Sequence, residues 1–380
     1  MRKWQFIVGI VVVMGMSGGL FAQEEQNAVR DITGPGNYNI TAYDRGVQSK
    51  LGGYFATEYI SSNSTGNFKA HYLILQASAY LHRNIFFNTE LELEYGALVN
   101  NGTNDGEIKI EQAWLDFLMT DWLVLRAGTV LVPFGRLNIL HDADVRETTD
   151  RGLYATYVVP TTWMDTGVGF HGIVDLGDTG SLNYETYILN GLREINGTLN
   201  KVRNARPSFK ADNNRAKAWA SRIGYSPAID LEVGMSYFNG KTDSSETQNL
   251  NMIGLDGDWK TGPFEWVAEW AQSSVTGGGS FTGTYGGYYI EGRYHFFPDF
   301  LKNTFLGNDY RNPLFTTVVR YSAADMDYSV VDANDLTRWT VGLNYRPVQT
   351  MVLKFESQWT RTASTGETET QFLASAAVGF

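Results

Sequence analysis

No cysteine occurs anywhere in the chain, so neither a disulfide framework nor thiolate chemistry is open to it. Bases are outnumbered: 30 Lys and Arg stand against 41 Asp and Glu, a net charge of −11. A nucleic-acid binder would carry the opposite excess. Long apolar runs are as scarce. The only notable one, Phe6 to Met16, falls short of the roughly 20 residues a membrane-spanning helix needs. A membrane role would have to be carried by strands. The five histidines (His71, His82, His141, His171, His295) are scattered, with no HExxH pair. GxSxG, P-loop and Rossmann fingerprints are missing too, so no metal or cofactor is expected. Prolines number nine against 40 glycines, 21 Phe, 21 Tyr and 10 Trp, a balance that suits a β-rich wall with aromatic girdles.

The first residues read as an address. Arg2 and Lys3 precede the apolar stretch, and Gly18, Gly19 and Ala22 approach a cleavage point before Gln23, the layout of a secretory signal peptide over 1–22. Residues 23–49 contain the turn chemistry of Gly34-Pro35-Gly36 without a clear period, and are expected to be a loosely held periplasmic tail.

From residue 50 to 380 a period of two takes over. In the segment 85–97, Phe87, Thr89, Leu91, Leu93 and Tyr95 alternate with Asn88, Glu90, Glu92 and Glu94. Comparable segments fall at 50–60, 68–81, 107–119, 123–130, 164–176, 181–190, 215–225, 231–239, 248–259, 264–272, 285–297, 314–323, 336–345, 351–362 and 368–380. That predicts an all-β protein of about sixteen strands. A soluble sandwich and a transmembrane barrel both alternate apolar with polar residues, and loop lengths separate them. Connections at 82–84, 120–121, 177–180, 226–230, 260–263 and 346–350 are short, and only 298–313 breaks that set. The intervening loops at 61–67, 100–106, 132–163, 191–214, 240–247, 273–284, 325–334 and 363–367 are mostly longer and polar. Short turns at one rim and long loops at the other are what an up-and-down antiparallel outer-membrane barrel requires. The last strand alternates Phe372, Ala374, Ala376 and Val378 up to a terminal Phe380, which resembles the assembly signal of bacterial outer-membrane proteins.

The stretch that organises the rest is the loop 132–163. It follows a strand, loses alternation at Pro133 and Phe134, and is dense in charge: Arg136, His141, Asp142, Asp144, Arg146, Glu147, Asp150 and Arg151. A structureless loop of that length is usually functional, and this one is expected to fold into the lumen and narrow it. A charge facing lipid at mid-depth costs on the order of 2–4 kcal/mol. That places Glu90, Glu92, Glu94, Asp116, Arg126, Glu265, Glu269, Glu291, Arg293, Arg320, Arg338, Lys354 and Glu356 on the lumen side. Between 192 and 222 the sign changes: Arg193, Lys201, Arg203, Arg206, Lys210, Arg215, Lys217 and Arg222 face two acids, Glu194 and Asp212. Such a basic loop is expected at the mouth, where it would either attract anions or pair with lipopolysaccharide.

Gly128, followed by Val132-Pro133-Phe134-Gly135 and then Arg146 to Arg151-Gly152, resembles the phosphate-selective porin O/P family. The resemblance implies a trimeric outer-membrane channel whose third outer loop lies inside the barrel, and 132–163 is the third long loop by count. Phosphate-selective members line the path with arginines and a lysine cluster, whereas this loop balances three arginines against four acids and contains no lysine. The expected function is passive diffusion of small hydrophilic solutes or ions, with anions such as phosphate included. Two other readings remain open: a plugged structural or adhesive barrel binding a partner through its outer loops, and a barrel hydrolase using His141 and Asp142.

Overall fold

In the computed structural model the described residues are 48–62, 65–97, 99–100, 103–104, 106–197, 201–207, 209–332 and 335–380. The signal peptide and almost all of the tail predicted over 23–49 lie outside them. Sixteen antiparallel strands close into one barrel: β1 Gln48–Ser61, β2 Gly66–His82, β3 Ile85–Glu94, β4 Glu107–Thr120, β5 Leu123–Leu131, β6 Met164–Asp175, β7 Ser181–Leu189, β8 Ala218–Ala228, β9 Leu231–Lys241, β10 Gln248–Thr261, β11 Phe264–Gly277, β12 Gly283–Phe296, β13 Leu314–Asp325, β14 Leu336–Arg346, β15 Met351–Thr362 and β16 Thr368–Gly379.

Each strand pairs with its sequence neighbours, and β1 pairs with β16 from Tyr54 opposite Gly379 to Ser61 opposite Phe372. The seam is sealed by reciprocal bonds: Phe380 N donates to Gly53 O at 2.9 Å and Gly53 N to Phe380 O at 3.1 Å. Closure leaves no unpaired edge, the condition for a sheet to sit in lipid. Strand ends differ from the period-two reading by a few residues. The third strand stops at Glu94, because Tyr95 and Gly96 take positive φ (49° and 75°) and turn the chain into one 3-10 turn. The eighth begins at Ala218 rather than Arg215, since the Arg215 and Ala216 amides donate to the Glu246 carboxylate instead of a ladder.

The side-chain alternation defines the two faces. Along β11, Phe264, Trp266 and Trp270 point out, Phe264 and Trp266 about half exposed, while Glu265, Val267 and Glu269 are buried. The same holds for Leu255, Ile290, Val341 and Phe355 against Asp256, Glu291, Thr340 and Glu356. Outward aromatic rings gather near both rims, as Phe264 against Tyr294 at one end and Tyr321 against Trp339 at the other. Apolar-out, charged-in is the inverse of a soluble sandwich and fits a lipid-facing wall.

Candidate functional site

The loop joining β5 to β6 does not stand above the rim. Its first arm turns inward at once. Phe134 is fully buried and seats against the inward Gly254, where an added Cβ would meet its ring at 3.0 Å. At Gly135 the backbone takes φ 71°, and a Cβ there would strike the Glu269 carboxylate at 2.5 Å. Glycine therefore lets the chain pass over that acid, whose Oε1 accepts the Leu137 amide at 2.6 Å. One helical turn follows over Arg136–Ile139. Asn138 ties the loop's two ends: its Nδ2 donates to Val132 O (2.8 Å) and Trp163 O (3.0 Å), and its Oδ1 accepts from Trp163 N (2.8 Å).

The middle of the loop reaches wall strands far round the barrel. Lys354 Nζ donates to Ala143 O at 2.5 Å. Asn344 and Arg346 hold the Glu147 carboxylate at 2.6 and 2.9 Å. Glu356 accepts the Thr149 and Asp150 amides at 2.9 and 3.3 Å, and Arg338 pairs with Asp150 at 2.7 Å. The returning arm makes a single π-helical turn over Tyr154–Val158. There Leu153, Tyr154, Val158 and Trp163 are buried against Phe238, Ala271 and Tyr289. The loop thus occupies the barrel interior along β9 to β15 and faces the inner side of β1 to β4, which carries Tyr54, Glu58, Tyr72, Glu90, Glu92 and Glu111.

Of the charges assigned to the lumen, Glu90, Glu92, Asp116, Arg126, Glu265, Glu269, Glu291, Arg320, Lys354 and Glu356 are buried, and Glu94, Arg293 and Arg338 are partly so. Most are paired: Arg126 with Asp116 (2.6 Å), Arg293 with Glu265 (2.8 Å) and Glu291 (2.5 Å), and Arg320 with Glu291 (2.5 Å). Lys109 bridges Glu92 and Glu94. Arg136 joins Asp258 at 2.6 Å and Glu232 at 3.6 Å. Pairing of this kind removes the cost of holding charge in a narrow, poorly hydrated space.

Five bases break the pattern. Among the described residues Arg146, Arg151, Arg203, Arg206 and Lys354 form no ion pair. Arg151 donates to Thr161 O and Thr162 Oγ1, Arg203 to Thr161 O and Arg206 to Thr162 O. Arg146 is only 5% exposed and its Nε has no hydrogen-bond partner. Burial, with Arg206 and Arg151 nearby, pushes Arg203 down to about 10, and burial with Arg151 lowers Arg146 in the same sense. Arg146 and Lys354 line one cavity of about 230 Å³ together with Glu58, His71, Tyr72 and Thr149.

The open basic mouth expected over 192–222 is therefore only partly present. Arg203 and Arg206 fold down onto the inner loop, because the bare carbonyls of Thr161 and Thr162 need donors. Lys217 pairs with Asp212. Arg222 lies on the inner face of β8 with Asp256 and Glu232. Arg193, Lys210 and Arg215 stay exposed, and the side chain of Lys201 lies outside the described residues.

Sequence reasoning missed Glu111. The pairing of β3 with β4 passes from Glu90 opposite Gln112 to Leu91 opposite Ile110, so Glu111 is an inserted bulge residue. A bulge reverses which positions face inward: Lys109 and Glu111 before it, Trp114 and Asp116 after it. Tyr54 and Tyr72 were missed because an inward aromatic and an outward one read alike in a period of two.

A closed wall apolar outside and charged within, with one long loop held across its interior, defines a porin-type barrel of the bacterial outer membrane. Residues 42–373 match the family described as phosphate-selective porin O and P, and the chain belongs to that family. An uncharacterized protein of Aquifex aeolicus (strain VF5) is 30% identical over 231 residues, 58% of this chain and 50% of that protein. The match thus spans about half the length of that curated relative. Among solved structures, the anion-selective porin from Comamonas acidovorans is similar at TM-score 0.59 and 11% identity, over 88% of this chain and 100% of that one. The trimer form of OmpT from Vibrio cholerae gives 0.58 at 10% identity, over 88% and 99%. Salmonella typhi OmpF in complex with daunomycin gives 0.57 at 12%, over 89% and 99%. At these identities the likeness is one of fold.

Proposed function

We propose that this protein is a passive outer-membrane diffusion channel that prefers small anions, phosphate among them, and that its third outer loop forms the constriction. The observation that carries the preference is the set of bases without carboxylate partners, Arg203, Arg206, Arg151, Arg146 and Lys354, gathered around one loop, while the other inward bases, Arg126, Arg293 and Arg320 among them, are paired with acids. Guanidinium groups presenting unused N–H donors suit oxyanions, and the acids on the inner face of β1 to β4 set up a transverse field of the kind pores use for selection. The first residues serve as a signal peptide, the barrel assembles as a homotrimer in contact with lipid and lipopolysaccharide, and no catalytic role is assigned to it. Membership of the porin family and the trimeric form of the Vibrio cholerae OmpT support the assembly.

The test is ion selectivity in planar bilayers. Replacing Arg146 and Arg151 with Glu should reverse the zero-current potential toward cations and abolish block of chloride current by phosphate. A double variant that keeps an anion-directed potential would remove these arginines from the solute path. If neither form produces steps, the packed interior belongs to a plugged barrel instead.

A further inference from the structure

Where the inner loop leaves its helical turn, it meets the bulge of β4. Glu111, His141 and Asp142 bring one carboxylate oxygen, one ring nitrogen and a second carboxylate oxygen within 4.8 Å of one another. His141 Nε2 stands 3.4 Å from Glu111 Oε2 and 3.6 Å from Asp142 Oδ1. We propose that these three residues bind a divalent transition-metal ion of the zinc class, which fastens the inner loop to the barrel wall.

The chemistry of the donors points that way. His141 Nδ1 lies 3.0 Å from the carbonyl oxygen of Asn138. A carbonyl only accepts, so Nδ1 carries a proton, which leaves Nε2 as the ring nitrogen that would ligate an ion between the two carboxylates. Two carboxylate oxygens converging on one ring nitrogen call for positive charge among them, and a metal ion supplies it. A tetrahedral ion about 2.0–2.2 Å from each ligand separates its donors by roughly 3.3 Å, close to the two spacings from Nε2. The imidazole held by a backbone carbonyl through its other nitrogen is the usual outer support of a metal-binding histidine.

Glu111 supplies the second, independent sign. It is fully buried, its Oε1 has no hydrogen-bond partner, and it occupies an inserted position that turns its side chain toward the loop. On the neighbouring strand Glu92 pairs with Lys109. His141 and Asp142 also border a small cavity lined by Gln112, Arg126 and Glu185. One imidazole with two carboxylates favours zinc over calcium or magnesium, which take all-oxygen shells.

The experiment uses the full-length protein, without an affinity tag, folded in detergent and stripped with EDTA. Zinc is added in equilibrium dialysis, and cobalt(II) is added separately for its visible absorption. The expected result is one equivalent of zinc per chain, not displaced by equimolar calcium. Cobalt should give the intense bands of a four-coordinate nitrogen–oxygen site. His141→Gln and Glu111→Gln should each weaken binding at least about tenfold, a typical penalty for disturbing a metal site. The heat-dependent shift of the folded barrel on a gel checks that each variant has folded. No stoichiometric binding to the wild type, or equal binding by the wild type and by whichever variant folds, overturns the proposal. The effect of zinc on conductance rests on the channel reading: zinc that binds while the bilayer stays silent leaves the site and removes the channel.

Discussion

Burying an arginine without a carboxylate is costly, and most of the inward arginines avoid it by close pairing, as Arg320 does with Glu291 and Arg346 with Glu147. Arg146 accepts the cost, which is why the solute preference is placed there. Asn138 shows the opposite economy, since one short amide satisfies three backbone groups at the neck of the loop. Replacing it with Ala leaves those groups buried and unmet, at roughly 1–3 kcal/mol for a lost buried partner. Hydrogen exchange should then accelerate across 132–163 while the strands keep their protection. Unchanged exchange in the loop would mean that other contacts hold its neck. At this scale the sequence is legible for charge and little else. Arg146 and Asp142 stand out as charged loop residues, but the partners that give them meaning, Lys354, Tyr54 and Glu111, come from strands remote in sequence. Glu111 is hidden further by its bulge.

Elements are read more easily, because a wall residue has only two directions to face and lipid enforces the choice. The alternation of Glu90, Glu92 and Glu94 with Leu91 and Leu93 predicts a strand with its acids turned inward; the strand is present over Ile85–Glu94, with Glu90 and Glu92 buried. The loop 132–163 is recognisable as an exception by its lost period and its charge, and its family segment Val132-Pro133-Phe134-Gly135 marks where it departs. Its path is another matter. Whether Arg203 and Arg206 wave at the mouth or clasp Thr161 and Thr162 depends on carbonyls that no pattern marks. Deleting 142–150 removes the segment that spans from β4 to β15, together with its bonds to Asn344, Arg346 and Glu356. Unitary conductance should rise severalfold in the deletion, measured in planar bilayers. Conductance equal to the wild type would place the constriction elsewhere.

For the whole molecule, about sixteen strands with short turns at one rim and long loops at the other are implied by spacing, and the closed sheet has sixteen; that Phe380 seals the seam against Gly53 is visible only in the structure. Overall charge, by contrast, is a poor guide to selectivity. The chain carries a net charge of −11, yet many inward acids are matched by a neighbouring base, while the bases left over gather at the inner loop. Net charge governs solubility and long-range fields; in the proposed channel the unpaired bases of the inner loop select what passes. The direct test is the zero-current potential of the wild-type protein in a planar bilayer under a potassium chloride gradient. Discrete steps with a potential directed toward chloride are the predicted result, and steps with a potential directed toward potassium would contradict the account.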